Sequence, residues 1–300
     1  LENNVIDTKF KVKCTGKMEL YGQTFHCWKE KGHGWVSLKN AMKQSCDTYF
    51  YEVARLLGVD RLNETAKKFG LGKIVLKDFF ENEKKGVVPS TKWKKDAIGE
   101  NWYLGETLIT GIGQGYIQTT PLQLTLMTAQ LANGGNKIYP TIIPNKKNID
   151  LIKQEMNNNE DLDFKTDHTS LVRNKENVKF VLDAMFRSTN EVYGTSYSSR
   201  IEDPKYQFAG KTGTAQVKRI TEAERELDRK LEQIPYKERD HAWYVAFGPY
   251  KDPRYALTVL VEHGGSGSSA AAPIAKKLFK KIIDRHEERE KLREYNTTIL

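Results

Sequence analysis

Residues 32–51 read GHGWVSLKNAMKQSCDTYFY, and the rest of the chain is organised around them. A hydroxyl, a thiol and a carboxylate stand in consecutive positions, Ser45, Cys46 and Asp47. Apolar residues recur at helical spacing on both sides, Leu38, Ala41 and Met42 before them and Tyr49, Phe50, Val53, Ala54 and Leu57 after. A buried Ser or Asp without partners costs about 1–3 kcal/mol, so polar groups inside such a pattern are either satisfied by their neighbours or employed in chemistry. Taken alone, the stretch reads as a helix junction capped by its polar residues. A second site far downstream changes that reading.

The 300 residues, 38% hydrophobic, suffice for a full core in one domain. No run of eighteen apolar residues occurs and the first ten residues hold no apolar signal core, so any membrane anchor is expected upstream of Leu1. Lys and Arg exceed Asp and Glu by 48 to 39, a formal net charge of +9. The charges are mixed in sign and no basic stripe is interleaved with aromatics, so nucleic acid is not an expected partner. The three cysteines, Cys14, Cys27 and Cys46, form an odd number and cluster near the start, which fits one shared task better than a disulfide framework.

Along the chain, residues 1–34 read as loop with a strand pair at most. Ser37 is expected to cap a helix from Leu38, which leads through Ser45 into a second helix running to Leu57. Asp60 should cap a further helix over residues 61–69, closed by Gly70 and Gly72. Residues 73–110 look irregular. Thr120 and Pro121 open a mostly buried helix that stops at Asn133. Residues 143–168 read as a polar surface excursion, and residues 176–187 as an amphipathic helix. Strands are expected over 207–216, 241–250 and 255–262, with a charged insertion at 220–240 that could form a helical hairpin arm. A long helix over 270–295 should cover the sheet.

The second site is Lys211, Thr212, Gly213 and Thr214, inside the first of those strands. A strand lysine beside hydroxyls and a glycine lets a ligand approach the backbone with donors ready for a carboxylate. Paired with the Ser-x-Asp turn, it resembles the second and third signatures of the penicillin-recognising serine enzymes, Ser-x-Asn and Lys-Thr-Gly, with Asp47 in place of Asn. The likeness is to the elongation-type class B penicillin-binding proteins (penicillin-binding protein 2). It runs through SCDTYFYEVA (45–54), FGLG (69–72), IGQGY (112–116), TPLQL (120–124), LANGG (131–135), AGKTGTAQ (209–216) and HAWYVAFGPY (241–250). It implies an α+β fold, an antiparallel sheet packed between helices, without the family's early strands. The first signature, Ser-x-x-Lys, is nowhere in the chain; the nearest strings, 8–11 and 65–68, begin with threonine. The nucleophile is therefore expected before Leu1, and this chain alone is expected to be inactive.

The resemblance implies a peptidoglycan D,D-transpeptidase that crosslinks stem peptides during cell-wall elongation and is inhibited by β-lactams. It would work on the periplasmic face of the cytoplasmic membrane, beside a glycan polymerase and cell-elongation proteins. In that chemistry Ser45 relays a proton and Asp47 holds the base lysine or the substrate amide. Lys211, Thr212 and Thr214 receive the substrate carboxylate, and Gly213 leaves room for the peptide. A β-lactam sensor or hydrolase of the same fold, or a non-catalytic binding module of the wall machinery, are the other readings. Finally, Cys14, Cys27, His33 and Cys46 offer three thiolates and an imidazole, the donor set of a closed structural zinc site. The gaps of twelve, five and twelve residues are wide for a zinc knuckle, a Cys14–Cys27 disulfide is the alternative, and His26 is the rival imidazole.

Overall fold

The computed structural model describes residues 1–76, 80–140, 142, 169–218, 220–221, 224–225, 227 and 229–299. The excursion expected over residues 143–168 lies outside the described residues. The chain divides into two compact units. One comprises Leu1–Asp7 and Phe50–Phe180, the other Thr8–Tyr49 and Val181–Leu300.

The second unit carries the sheet. Strands β5 (Ala209–Ala215), β6 (His241–Gly248) and β7 (Tyr255–Val261) pair antiparallel in that order, with Lys211 opposite Val245 and Val245 opposite Thr258. Three of the expected strands are thus found within two residues of the boundaries read from their alternation. Ala242, Tyr244 and Ala246 on β6 pack with Phe208, Val259, Ala272, Ala275 and Phe279 into one buried cluster. Ala272, Ala275 and Phe279 belong to the terminal helix, Ala272–Ile299, which follows a π turn at Gly267–Ala271. Small residues on strand and helix let the two backbones approach, and Phe208 stacks on Phe279 with centroids 5.0 Å apart.

The start of this unit departs from expectation. Instead of loop with at most one strand pair there are two two-stranded sheets. β1 (Lys11–Cys14) pairs with β4 (Gly34–Ser37), and β2 (Lys17–Leu20) with β3 (Gln23–His26). Each strand has four residues and faces solvent on one side, too short for alternation to stand out. Helices α1 (Leu38–Gln44) and α2 (Asp47–Leu57) follow as read, but Ser37 makes no side-chain cap bond. Part of the insertion expected as a helical hairpin arm lies outside the described residues. Of those described, Glu224 and Arg225 are helical, and two single 3₁₀ turns follow, Leu231–Gln233 and Tyr236–Glu238, with Pro235 between them, which lacks the N–H a continued helix needs.

The other unit is helical: α3 (Val59–Lys68), α4 (Thr91–Ile98), α5 (Leu104–Gly111) and α6 (Pro121–Ala132). Thr120 and Gln123 form the capping box that starts α6. Two expectations fail here. The N-cap of α3 is Gly58, and Asp60 instead accepts from the backbone N–H of Thr91 at 2.9 Å. Residues 73–110 include two helices, because Ser90 caps α4 by accepting from the Trp93 N–H and Gly99 ends it in the left-handed conformation. A last helix, α7 (Lys175–Asn190), begins in this unit and ends in the other.

Candidate active site

Helix α1 ends on Ser45, which adopts a left-handed conformation at φ 52° and ψ 52° and sends its backbone N–H back to Ala41 and Met42. A non-glycine residue there costs about 1–2 kcal/mol and needs neighbours that impose it. Trp28 supplies them: its indole N–H reaches the Gln44 and Ser45 carbonyls at 3.0 and 2.8 Å, and its backbone N–H donates to Asp47 Oδ2 at 2.9 Å. The strained turn presents the Ser45 hydroxyl on one side and the Cys46 thiol on the other.

On the hydroxyl side, Lys211 Nζ donates to Ser45 Oγ at 2.5 Å across 166 residues of chain. Its other protons go to the Thr212 carbonyl at 3.0 Å and Thr212 Oγ1 at 3.5 Å, which uses all three ammonium donors. Burial pushes Lys211 down to about 8, and the Asp47 charge opposes this. Burial likewise pushes Asp47 up to about 7, against the Trp28 N–H bond and with the Cys27 sulfur adding to the rise. Thr212 Oγ1 lies 3.5 Å from Ser45 Oγ. Thr214, two residues along and on the same side of β5, is exposed, so the structure does not bring it against Ser45. Gly213 meets only the Trp243 Cβ near the position a side chain would take.

Behind the strand, Gly210 is required. A Cβ there would stand 2.3 Å from the Tyr244 hydroxyl, which is fully buried and bonded to Thr189 at 2.8 Å and Ser196 at 3.1 Å. Burial pushes that phenol up to about 12, so it stays neutral.

On the thiol side, Cys14, Cys27, His33 and Cys46 bring their ligand atoms within 4.8 Å of one another, and the three cysteines are buried and free. His33, not His26, joins the cluster. His33 Nδ1 lies 3.6 Å from the Cys14 sulfur and 3.5 Å from that of Cys27. Bonds of about 2.3 Å to sulfur and about 2.0 Å to nitrogen at tetrahedral angles give an S to N edge of about 3.5 Å, so the donor set fits a zinc ion. The Cys46 thiol and the backbone N–H groups of Lys29, Thr48 and Asp47 hold the Cys27 sulfur toward thiolate, while Cys46 is pushed up by the same contact and by burial. Thr48 Oγ1 accepts from Cys14 at 3.3 Å. The N–H groups facing Cys27 are the kind of supporting shell that a thiolate ligand needs.

Sequence reading missed Trp28 and Thr195. Trp28 directly follows Cys27. Thr195 follows Gly194, at which a Cβ would meet the Ser188 carbonyl at 2.3 Å, and that glycine is the signal for a tight approach.

The site thus pairs a serine of a helix junction with a lysine on a strand of an antiparallel sheet. Residues 1–280 match the penicillin binding protein transpeptidase domain, and the chain belongs to that family. The peptidoglycan D,D-transpeptidase MrdA of Salmonella typhimurium is 35% identical over 260 residues, which are 86% of this chain and 40% of that protein. MrdA of Haemophilus influenzae is 36% identical over 85% of this chain and 37% of its own length. The chain thus spans about two fifths of the curated relatives it matches. Among solved structures, Pseudomonas aeruginosa PBP2 in complex with WCK 5153 is 35% identical with a TM-score of 0.73, over 92% of this chain and 54% of that one. The PBP2 of a complex with MreC from Helicobacter pylori is 30% identical with a TM-score of 0.76, over 93% and 46%.

Proposed function

We propose that the protein containing this chain is a peptidoglycan D,D-transpeptidase acting outside the cytoplasmic membrane, and that it is inhibited by β-lactams. The observation that carries the reading is the 2.5 Å bond from Lys211 to Ser45. Neither group has a purely structural reason to face the other, because a buried ammonium is costly and a salt-bridge partner would satisfy it better than a serine. The 300 residues contain no Ser-x-x-Lys, so we assign the attacking serine and its base lysine to residues outside them.

In this reading the attacking serine opens the penultimate D-alanine carbonyl of a stem peptide and releases the last D-alanine. The acyl group then passes to an amine of a neighbouring strand. Ser45 shuttles the proton, because a hydroxyl donates and accepts at once. Lys211 supplies the positive charge that draws the substrate carboxylate, and Thr212 and Thr214 hold it. The Thr214 N–H is half of the oxyanion hole, a contribution of about 3–4 kcal/mol. Stem peptides are the substrates, and cell-elongation proteins of the kind that the Helicobacter PBP2 binds are the partners. Covalent labelling of the intact protein by a fluorescent penicillin tests the assignment; absence of labelling rules it out.

We further propose that Cys14, Cys27, His33 and Cys46 hold a structural zinc ion. A closed four-ligand site leaves no open position for chemistry, so the ion would fix the turn that carries Ser45 and Asp47. Metal analysis of protein purified without chelator should find one equivalent of zinc, and a clearly substoichiometric value refutes the site.

A further inference from the structure

The Ser45 hydroxyl has a second neighbour that the transpeptidase reading does not employ. Ser45 Oγ donates to Thr195 Oγ1 at 3.4 Å, and Thr212 Oγ1 donates to the same oxygen at 3.2 Å. Ser188 Oγ lies 3.1 Å from it and is fully buried. A hydroxyl offers two lone pairs and one proton. Thr195 therefore accepts from Ser45 and from Thr212 and gives its own proton to Ser188, with nothing left over. Its backbone is held as firmly, the Thr195 N–H donating to the Lys43 carbonyl at 3.1 Å and the Ser196 N–H to the Ser188 carbonyl at 3.1 Å. A β-branched side chain on so constrained a backbone has little rotamer freedom.

We propose that Thr195 is a positioning residue for the acyl-transfer step. It ties the serine of the helix junction and the first threonine of the β5 motif to one shared acceptor. Lys211 donates into Ser45, so the single Ser45 proton must point elsewhere, and Thr195 is where it rests. The 2.5 Å bond on the lysine side and the 3.4 Å bond on the threonine side make the latter the easier to give up, so the Ser45 proton is free to swing to the substrate. Without Thr195 the hydroxyl would lose its resting direction, and Thr212 would lose the partner that aims it.

This inference rests on the transpeptidase reading, and the test separates the two. In the intact protein, penicillin acylation of the Thr195→Val variant is resolved into a binding constant and an acylation rate. The rate should fall about thirtyfold, while the binding constant changes by less than about threefold. Thr195→Ser, which restores the oxygen, should recover the rate to within about threefold. A valine variant as fast as the unaltered protein, or a serine variant as slow as valine, overturns the role of Thr195 and leaves the transpeptidase reading intact. Failure of the unaltered protein to be acylated overturns both. Should the valine variant not fold, Ser188→Ala removes only the acceptor of the Thr195 proton. The acylation rate should then fall about threefold, and an unchanged rate overturns the proposal.

Discussion

The groups around Ser45 and those around Cys46 are built on adjacent residues of one turn, yet their surroundings differ in kind. The cysteines are buried, and with His33 they make up the four ligand atoms of the cluster, so that side is closed. Ser45, Lys211, Thr195 and Thr212 are only partly buried, and one ammonium and three hydroxyls hydrogen-bond there at distances from 2.5 to 3.5 Å. A tight metal cage gains from rigidity, whereas a proton relay needs one bond strong enough to orient and another weak enough to release. With the proposed zinc ion bound, placing the cage and the proposed relay on one strained turn would let the closed side hold the open side still. Trp28 is the physical link, since it follows a cluster cysteine and binds Asp47 and the Ser45 carbonyl.

Removing the open side should have the largest effect. Ser45→Ala in the intact protein should lower penicillin acylation by about 10²- to 10⁴-fold with little change in melting temperature; a loss under tenfold would deny Ser45 the relay. Attacking the closed side should cost both properties together. Cys46→Ser is expected to slow acylation by about tenfold and to lower the melting temperature by several degrees, followed by differential scanning fluorimetry. Stability lost with acylation intact would show that the cluster does not govern the turn.

A third measurement separates the sides by pH. Burial pushes Lys211 down to about 8, so its positive charge is present below that pH and is lost as the pH rises through it. Acylation should therefore decline on the alkaline side, by about tenfold near pH 9. Lys211→Arg cannot lose its proton there, so the decline should flatten, and an unchanged alkaline limb would assign it to another group. The smallest effect is expected at the link. Trp28→Phe keeps the ring and the backbone bond to Asp47 but drops the two indole bonds, for about 1 kcal/mol of stability and a two- to threefold slower acylation. A larger rate effect than that of Cys46→Ser would make Trp28, not the cluster, the main restraint on Ser45.

Much of the fold was legible because its elements carry local signals. The cap Thr120, the proline at 121 and the alternation of 241–248 each mark an element by short-range physics. Four-residue strands paired at the start of the chain left no such mark. Lys11 to Cys14 become a strand only because residues 34–37 lie alongside. The Asp60 carboxylate was misread as a cap because a partner 31 residues away claims it.

By themselves, the residues determined which chemistry was on offer: a Ser-x-Asp turn, a Lys-Thr-Gly strand, three cysteines and a histidine to complete them. Only the tertiary structure decided which groups meet. It chose His33 over His26, set Lys211 on Ser45, left Thr214 exposed, and brought in Trp28 and Thr195, which no motif singles out. Hydrogen bonds and ligand sets form through space at about 3 Å, and a sequence specifies such distances only once the chain has packed.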